Sequence, residues 1–176
     1  MLKIILIVLV VALVAFLLFV TTRPDTFRVT RSATIQAAPE KLFPMINDMK
    51  AFNQWNPYVK KDPKMKGVYS GPTAGPGATY TFEGNKDAGK GSIAVTDSSP
   101  NSKVVMQLKM TDPVEISNVV TFTLQPEGAA TRLTWAMDGP VPYLFKIVHL
   151  FMDMDKMVGN DYETGLASLK ALAEAR

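Results

Sequence analysis

The longest apolar run of the chain lies at its amino terminus, where seventeen consecutive apolar residues occupy positions 4–20. Lys3 precedes this run, and two threonines and Arg23 follow it. At about 1.5 Å per residue, a helix of this run with its neighbours spans roughly 27–30 Å, close to the hydrocarbon thickness of a bilayer. The pattern therefore predicts a transmembrane anchor over residues 1–22.

A cleaved signal peptide is the alternative interpretation of this segment. Signal peptides usually have an apolar core of about 7–15 residues that ends at a small-x-small cleavage site. Here residues 16–20 continue directly into Thr-Thr-Arg-Pro, so we favour an uncleaved anchor. Lys3 favours a cytoplasmic amino terminus, although arginines also follow the run. We expect a single-pass membrane protein whose domain lies on the extracytoplasmic side.

After a short linker over residues 23–26, the pattern changes to alternation of apolar and polar residues. Positions 27–35 alternate in this way, which is typical of a half-buried strand. Six further segments with strand character are separated by Gly, Pro, Asn and Asp turn residues. They cover residues 67–70, 78–83, 89–97, 103–110, 114–125 and 130–138. Short turns at regular intervals predict an antiparallel meander.

The helical signals lie between the first two strands and at the carboxyl end. Pro39 is placed where a first-turn proline fits a helix, and Asp48 is a candidate cap for a second short helix. We expect residues 53–58 to form a loop. From residue 141 to residue 176 the apolar positions recur at three- and four-residue steps, which predicts one long amphipathic helix.

Together these elements predict an α+β fold over residues 27–176, a length that fits one domain. A curved, seven-stranded antiparallel sheet has to bury one face, and the long carboxyl-terminal helix is the element available to cover it. Gly159 and Gly165 are expected where this helix packs closely on the sheet or bends. A sheet wrapped on one helix leaves space beside it, so an internal cavity is expected, closed at one end by the two short helices.

Composition excludes several classes of function. The chain has no cysteine and one histidine, so thiol catalysis, thiolate metal sites and histidine pairs are ruled out, and we expect neither a metal nor a cofactor. The net charge is +3, and the lysines are scattered among acidic residues. This pattern gives no support to nucleic-acid binding.

The phase of each strand predicts which side chains face the cavity. Asn118 occupies an apolar phase of its strand, and Arg31 does the same on the first strand. An orienting contact in an apolar pocket is the functional interpretation; a bulge at Asn118 or a sheet edge at Arg31 is the structural one. The methionine-rich start of the long helix adds deformable apolar surface. The predicted ligand-binding residues are Tyr80, Phe82, Met106, Asn118, Trp135, Phe151 and Met154.

Catalysis has only weak candidates. His149 lies four residues before Asp153, a helical spacing at which the two side chains can touch and form a general base. Tyr80 with Asn118 is a second candidate for proton transfer. No nucleophile can be tied to either pair by spacing, so whether the protein is an enzyme stays open, and a binding role is favoured.

The order of these elements and several motifs resemble the START-like SRPBCC superfamily, and within it the polyketide cyclase/dehydrase-like proteins. The segments that carry the resemblance are residues 35–43, 52–57, 75–80, 89–91, 97–100, 131–135 and 161–170. The resemblance implies a helix-grip fold across nearly all of residues 27–176, with Trp55 as a plug over the cavity entrance.

Members of this superfamily include lipid carriers, cyclases and hydratases, so the resemblance leaves three hypotheses. The first is membrane-tethered binding of a lipid or other apolar small molecule in an internal cavity. The second is a cyclase, dehydratase or hydrolase acting on an apolar substrate. The third is an envelope scaffold that binds a protein partner. The membrane is an expected partner through the amino-terminal helix, and the sequence leaves the oligomeric state open.

Overall fold

A computed structural model describes residues 1–86, 88–112 and 114–175 of the chain. Their elements follow in the order α1 (Leu2–Thr21), β1 (Thr26–Ile35), α2 (Pro39–Asn47), α3 (Met49–Trp55), α4 (Pro57–Lys61), β2 (Lys66–Ser70), β3 (Thr79–Glu83), β4 (Lys90–Ser99), β5 (Lys103–Asp112), β6 (Ile116–Glu127), β7 (Ala130–Pro140), α5 (Tyr143–Phe151) and α6 (Met154–Glu174).

The seven strands form one antiparallel sheet in the order β1-β7-β6-β5-β4-β3-β2. Strands β2 to β7 make the predicted meander, and β1 closes it by pairing with β7 from Thr26↔Pro140 to Ile35↔Thr131. Register shifts between β4 and β5 at Lys90/Gly91 and Val95/Asp97 add local bends. The predicted α+β class and curved antiparallel sheet are confirmed.

Helix α6 covers the concave face of the sheet with a buried stripe that includes Val158, Leu166 and Leu169. Its glycines mark the closest approaches, as predicted. A Cβ built on Gly165 would lie 2.7 Å from Cζ3 of Trp135, and one on Gly159 would overlap the Arg31 guanidinium. A side chain at Gly165 would push the helix away from the sheet, and one at Gly159 would displace the Arg31 guanidinium.

The short helices close one end of the sheet, and Asp48 caps α3 by accepting hydrogen bonds from the Lys50 and Ala51 amides. The predicted loop over residues 53–58 is wrong. Trp55 ends α3, and Asn56 caps α4 by accepting from the Tyr58 amide. Asn followed by Pro is the pairing of an N-cap with a first-turn proline, and it starts a helix here.

Trp55 is part of the core and does not plug an entrance. Its side chain is fully buried, and its indole N–H donates to the Met45 carbonyl at 2.8 Å. Its ring makes edge contacts with the rings of Phe52, Phe122 and Trp135. These contacts lock the short helices onto the sheet.

The predicted long carboxyl-terminal helix is confirmed as α6, but its start at residue 141 is wrong, because the helix is interrupted between α5 and α6. Met152 adopts an extended conformation, and the Asp153 carboxylate accepts from the Lys156 amide to cap α6. This side-chain cap starts a new helix and ends the continuous one. Arg176, the last residue of the predicted helix, lies outside the described residues.

Helix α1 is long and apolar enough to cross a membrane by length and composition, with nearly all of its surface exposed. Its last turn is joined to the domain. The Tyr143 hydroxyl donates to the Leu17 carbonyl at 2.9 Å, and Val20 is fully buried. In the segment that follows, Asp25 forms an ion pair with Lys146 of α5 at 2.6 Å.

Candidate ligand-binding cavity

The sheet, the short helices and α6 enclose an inner cavity of about 190 Å³. Its walls are largely apolar and come from most of the elements of the domain. Residues from the sheet dominate the lining, among them Phe82, Ile93, Leu108, Val120 and Trp135, and α3 adds Phe52. This composition is typical of a site for an apolar small molecule.

Aromatic rings stiffen the walls of this inner cavity. Trp135 stacks on Tyr162 of α6 with ring centroids 3.8 Å apart and planes 13° apart. Tyr80 and Phe82 lie side by side on β3. Burial raises the pKa of the Tyr80, Tyr58 and Tyr162 phenols, so all three stay neutral at physiological pH.

Asn118 is one of two buried asparagines among these largely apolar walls. It lies on β6 with 5% of its surface exposed, and its amide N–H₂ contacts Met137 Sδ at 3.6 Å. Its Oδ1 has no hydrogen-bond partner within the described part of the chain. Gly139 makes room for this amide, because a Cβ there would overlap Oδ1. The arrangement leaves a buried acceptor that a ligand hydroxyl or carboxylic acid can satisfy.

A larger groove of about 820 Å³ adjoins the inner cavity and lies between α5 and the end of β5 with the start of β6. Its apolar walls include Phe27, Phe145 and Val148. Three side chains line both the groove and the inner cavity, namely Met110, Asn118 and Met137. The two spaces therefore meet at the Asn118 side chain, whose Oδ1 has no partner among the described residues.

Five of the seven predicted ligand-binding residues line the inner cavity or the groove, and two line neither. Tyr80, Phe82, Asn118 and Trp135 line the inner cavity, and Met154 lines the groove. Met106 does not line either space: it is fully buried in the core, two residues along β5 from Leu108, which does line the cavity. The phase of β5 was correct, but α2 packs over that end of the strand.

Phe151 is the second predicted contact that falls outside both spaces, because the break after α5 turns its side chain outward. It is 80% exposed and borders only a shallow surface depression. The prediction missed Tyr58 and Val59 on α4 and Tyr162 on α6, all of which line the inner cavity. The Asn56-Pro57 helix start was the signal that could have placed the first two.

The predicted His149–Asp153 pair is not brought together. His149 lies in the groove with its ring edge against Phe27, at a centroid distance of 6.1 Å. Asp153 is exposed and caps α6, and the break between the helices removes the helical spacing that the predicted pair required. Tyr80 and Asn118, the second candidate pair, both line the inner cavity, and the Tyr80 hydroxyl makes a 3.7 Å contact with Met65 Sδ.

Arg31 points to α6 and away from the cavity. Its guanidinium pairs with Glu163 at 2.8 Å and with Asp155 at 3.0 Å, so the inward position on β1 is explained by an ion-pair cluster. Among the described residues, no group of three or more His, Cys, Asp or Glu side chains could hold a metal ion.

Comparison with known proteins gives one family and a set of similar folds. The profile of a family described as "Polyketide cyclase / dehydrase and lipid transport" matches residues 26–174. No curated protein matches the chain in sequence.

Among solved structures, protein CV1439 from Chromobacterium violaceum is similar, with a TM-score of 0.61, 18% identity, and coverage of 88% of this chain and 100% of that one. Ara h 8.0201 aligns with a TM-score of 0.57 and 12% identity over 84% of this chain and 97% of its own. DynU16, a putative protein in the dynemicin biosynthetic locus, aligns with a TM-score of 0.59 and 17% identity over 87% of this chain and 48% of its own. At these identities the likeness shows the fold.

Proposed function

The chain belongs to the polyketide cyclase/dehydrase and lipid transport family, and from that premise we propose that it binds a lipid or other apolar small molecule at a membrane. The ligand occupies the inner cavity and the adjoining groove. Helix α1 is the anchor, and the domain lies on the extracytoplasmic side.

The observation that carries the proposal is the unpartnered Oδ1 of Asn118 in an apolar enclosure. An unsatisfied buried amide costs about 1–3 kcal/mol, so such a group needs a reason to be there. A ligand with a hydroxyl or carboxylic acid group supplies the missing donor. The apolar walls on both sides of the amide then receive the rest of the molecule.

The volumes of the two spaces support a ligand that extends through both of them. Ligand pockets usually measure roughly 300–1,000 Å³, so the inner cavity alone, at about 190 Å³, is small for a lipid. The groove of about 820 Å³ provides the missing space. We therefore expect an elongated ligand whose polar group lies at the junction beside Asn118.

The anchor limits what such a binding protein does. Only the four residues 22–25 separate α1 from β1, so the cavity stays close to the bilayer surface. A protein held in this way does not carry its ligand between distant membranes. Presentation, sensing or local exchange of an apolar molecule at one membrane fits this geometry.

A matched pair of substitutions on β6 tests the binding function. Val120 is buried and lines the inner cavity, whereas its neighbour Val119 points to solvent on the other face of the sheet. In the full chain purified in detergent micelles, Val120→Phe is expected to fill the cavity and weaken binding of cis-parinaric acid at least tenfold. Val119→Phe adds the same bulk outside the cavity and is expected to leave binding unchanged.

Native mass spectrometry of the full chain, released from micelles after cellular expression, gives a second readout. A co-purifying apolar species is expected in the parent protein and in Val119→Phe, and not in Val120→Phe. Equal parinaric acid binding by both variants, or no uptake by the parent protein, would contradict the proposal.

A further inference from the structure

Helix α5 and the start of α6 expose large apolar side chains, some of which also line the groove. Leu144 is 72% exposed and Phe151 is 80% exposed, and Val148, Met152 and Met157 add to the same region. We call Leu144, Val148, Phe151, Met152 and Met157 the α5 surface. A cluster of this kind on a folded domain marks a site of contact with a protein or a membrane.

The α5 surface is held next to the end of the apolar helix. The Tyr143 hydroxyl at the start of α5 donates to the Leu17 carbonyl of α1 at 2.9 Å. One turn later, Lys146 pairs with Asp25 at 2.6 Å. The position of α5 relative to α1 is thus fixed by two polar contacts and by the burial of Val20.

If α1 spans a bilayer, these contacts determine how deep the start of α5 lies relative to the bilayer surface. Leu17 lies three residues before Val20, the last apolar residue of α1, so its carbonyl is about 4–5 Å inside the apolar end of the helix. The Tyr143 hydroxyl therefore reaches the boundary between acyl chains and headgroups, which is where tyrosine is enriched. Helix α5 has to start at that level.

We propose that the α5 surface is inserted into the interfacial layer of the same bilayer that α1 spans. This inference rests on the proposed function for the role of α1 as an anchor, and it names the route by which the ligand arrives. Val148, Met152 and Met157 line the groove and also belong to the α5 surface. The mouth of the groove then opens into the acyl-chain region, and an apolar ligand enters from the membrane without crossing water.

The bilayer is favoured over a protein partner or a second copy by continuity with α1. Any protein on the α5 surface would have to fit between the domain and the membrane, where α1 and α5 are already in contact. A lipid surface covers both helices with one apolar phase. Contact with protein remains an outcome that the experiment can detect.

Site-directed spin labelling of the full chain in phosphatidylcholine–phosphatidylglycerol vesicles tests the insertion, because the sequence has no cysteine to compete for the label. Phe151→Cys places a nitroxide on the α5 surface, and Leu9→Cys places one in the middle of α1. Val68→Cys is the matched control, since Val68 is an exposed apolar residue on β2, at the opposite edge of the sheet from β1.

Collision with oxygen reports lipid exposure, and collision with a water-soluble nickel chelate reports water exposure. The Phe151 label is expected to shift towards oxygen and to give a ratio between those of the Val68 and Leu9 labels, while the Val68 label stays accessible to nickel. A Phe151 label that behaves like the Val68 label would overturn the insertion. A Phe151 label shielded from both reagents would also overturn it, in favour of a protein contact.

The measurement needs no ligand, so it separates this inference from the proposed binding. Insertion with no parinaric acid uptake would leave the α5 surface in the membrane and refute the cavity function alone. Binding of parinaric acid with the Phe151 label in water would support the cavity function and refute the insertion alone. A Leu9 label in water would overturn the anchor and the insertion together.

Discussion

Among single residues, Asn118 is where stability and function make opposite demands. Its neighbours in the inward phase of β6 are Ile116 and Val120, and an apolar side chain would fit the same environment. An amide there leaves Oδ1 without a partner, and Gly139 has to stay without a side chain to accommodate it. Stability alone does not explain the combination of Asn118 with Gly139, whereas a binding site for a polar group does.

Replacing Asn118 with leucine tests this trade-off. We expect Asn118→Leu to raise the free energy of unfolding by about 1 kcal/mol, because an unsatisfied polar group is exchanged for an apolar one of similar size. The variant is also expected to lose its preference for a fatty acid over a hydrocarbon of equal length. Thermal unfolding in micelles and competition against parinaric acid measure the two effects. Loss of stability with unchanged preference would mean that the amide is structural.

Between elements, the contact of β1 with α6 includes a cluster of charged side chains at its solvent-exposed border. The Arg31 guanidinium donates to Glu163 and to both the carboxylate and the backbone carbonyl of Asp155. Gly159 leaves the space in which this guanidinium lies. The cluster fixes the start of α6 on the sheet.

This cluster predicts acid sensitivity with a defined sign. Hydrogen bonds from Arg31 lower the pKa of Asp155 below its ordinary value of 3.8. A carboxyl group whose pKa is depressed on folding stabilises the fold above the unfolded pKa, and this contribution is lost as pH falls through the folded pKa. We expect Asp155→Asn to lower the unfolding temperature at pH 7 and to differ less from the parent protein as pH falls below about 4.

Unfolding followed by circular dichroism at a series of pH values measures this effect. Asp153→Asn is the matched control, because that neighbouring carboxylate is a helix cap that makes no ion pair with Arg31. An Asp155→Asn variant whose deficit stays constant down to pH 3 would contradict the linkage.

The strands could be predicted from sequence because their signal is local. Alternation and turn residues gave all seven strands to within about two residues. The pairing of β1 with β7 joins strands that are distant in sequence, and no local pattern indicates it. The break before α6 could not be predicted in the same way. The apolar periodicity of α5 and α6 continues across Met152, but the Asp153 side chain caps a new helix at this point and interrupts the continuous one.

The candidate site was predictable only in part, because it depends on contacts between distant segments. Strand phase identified Tyr80, Phe82, Asn118 and Trp135 as inward-facing. It could not predict that α2 would cover Met106, or that acidic residues more than 120 positions away would form ion pairs with Arg31. A polar residue in an apolar phase can be structural or functional, and its contacts distinguish the two: Arg31 forms ion pairs, whereas Asn118 Oδ1 has no partner among the described residues.

For the molecule as a whole, the joint between α1 and the domain is the least expected feature. Residues 23–26 were predicted to be a linker, yet Asp25 lies within a network of contacts. Its carbonyl accepts from the Val141 amide at 2.7 Å, and its carboxylate pairs with Lys146. The orientation of the cavity relative to α1 is therefore set by the fold.

A pair of substitutions at this joint is expected to give unequal effects. Lys146 is buried, with 6% of its side chain exposed, while the side chain of Asp25 is 90% exposed. Asp25→Asn leaves the buried ammonium without its counter-charge, whereas Lys146→Met removes the charge and keeps a chain of similar length. In full-length protein in vesicles, Asp25→Asn should speed amide exchange in α5 on the order of tenfold, equivalent to about 1.4 kcal/mol of opening free energy. Lys146→Met should change it much less, and equal exchange in both variants would show that the ion pair does not hold α5 in place.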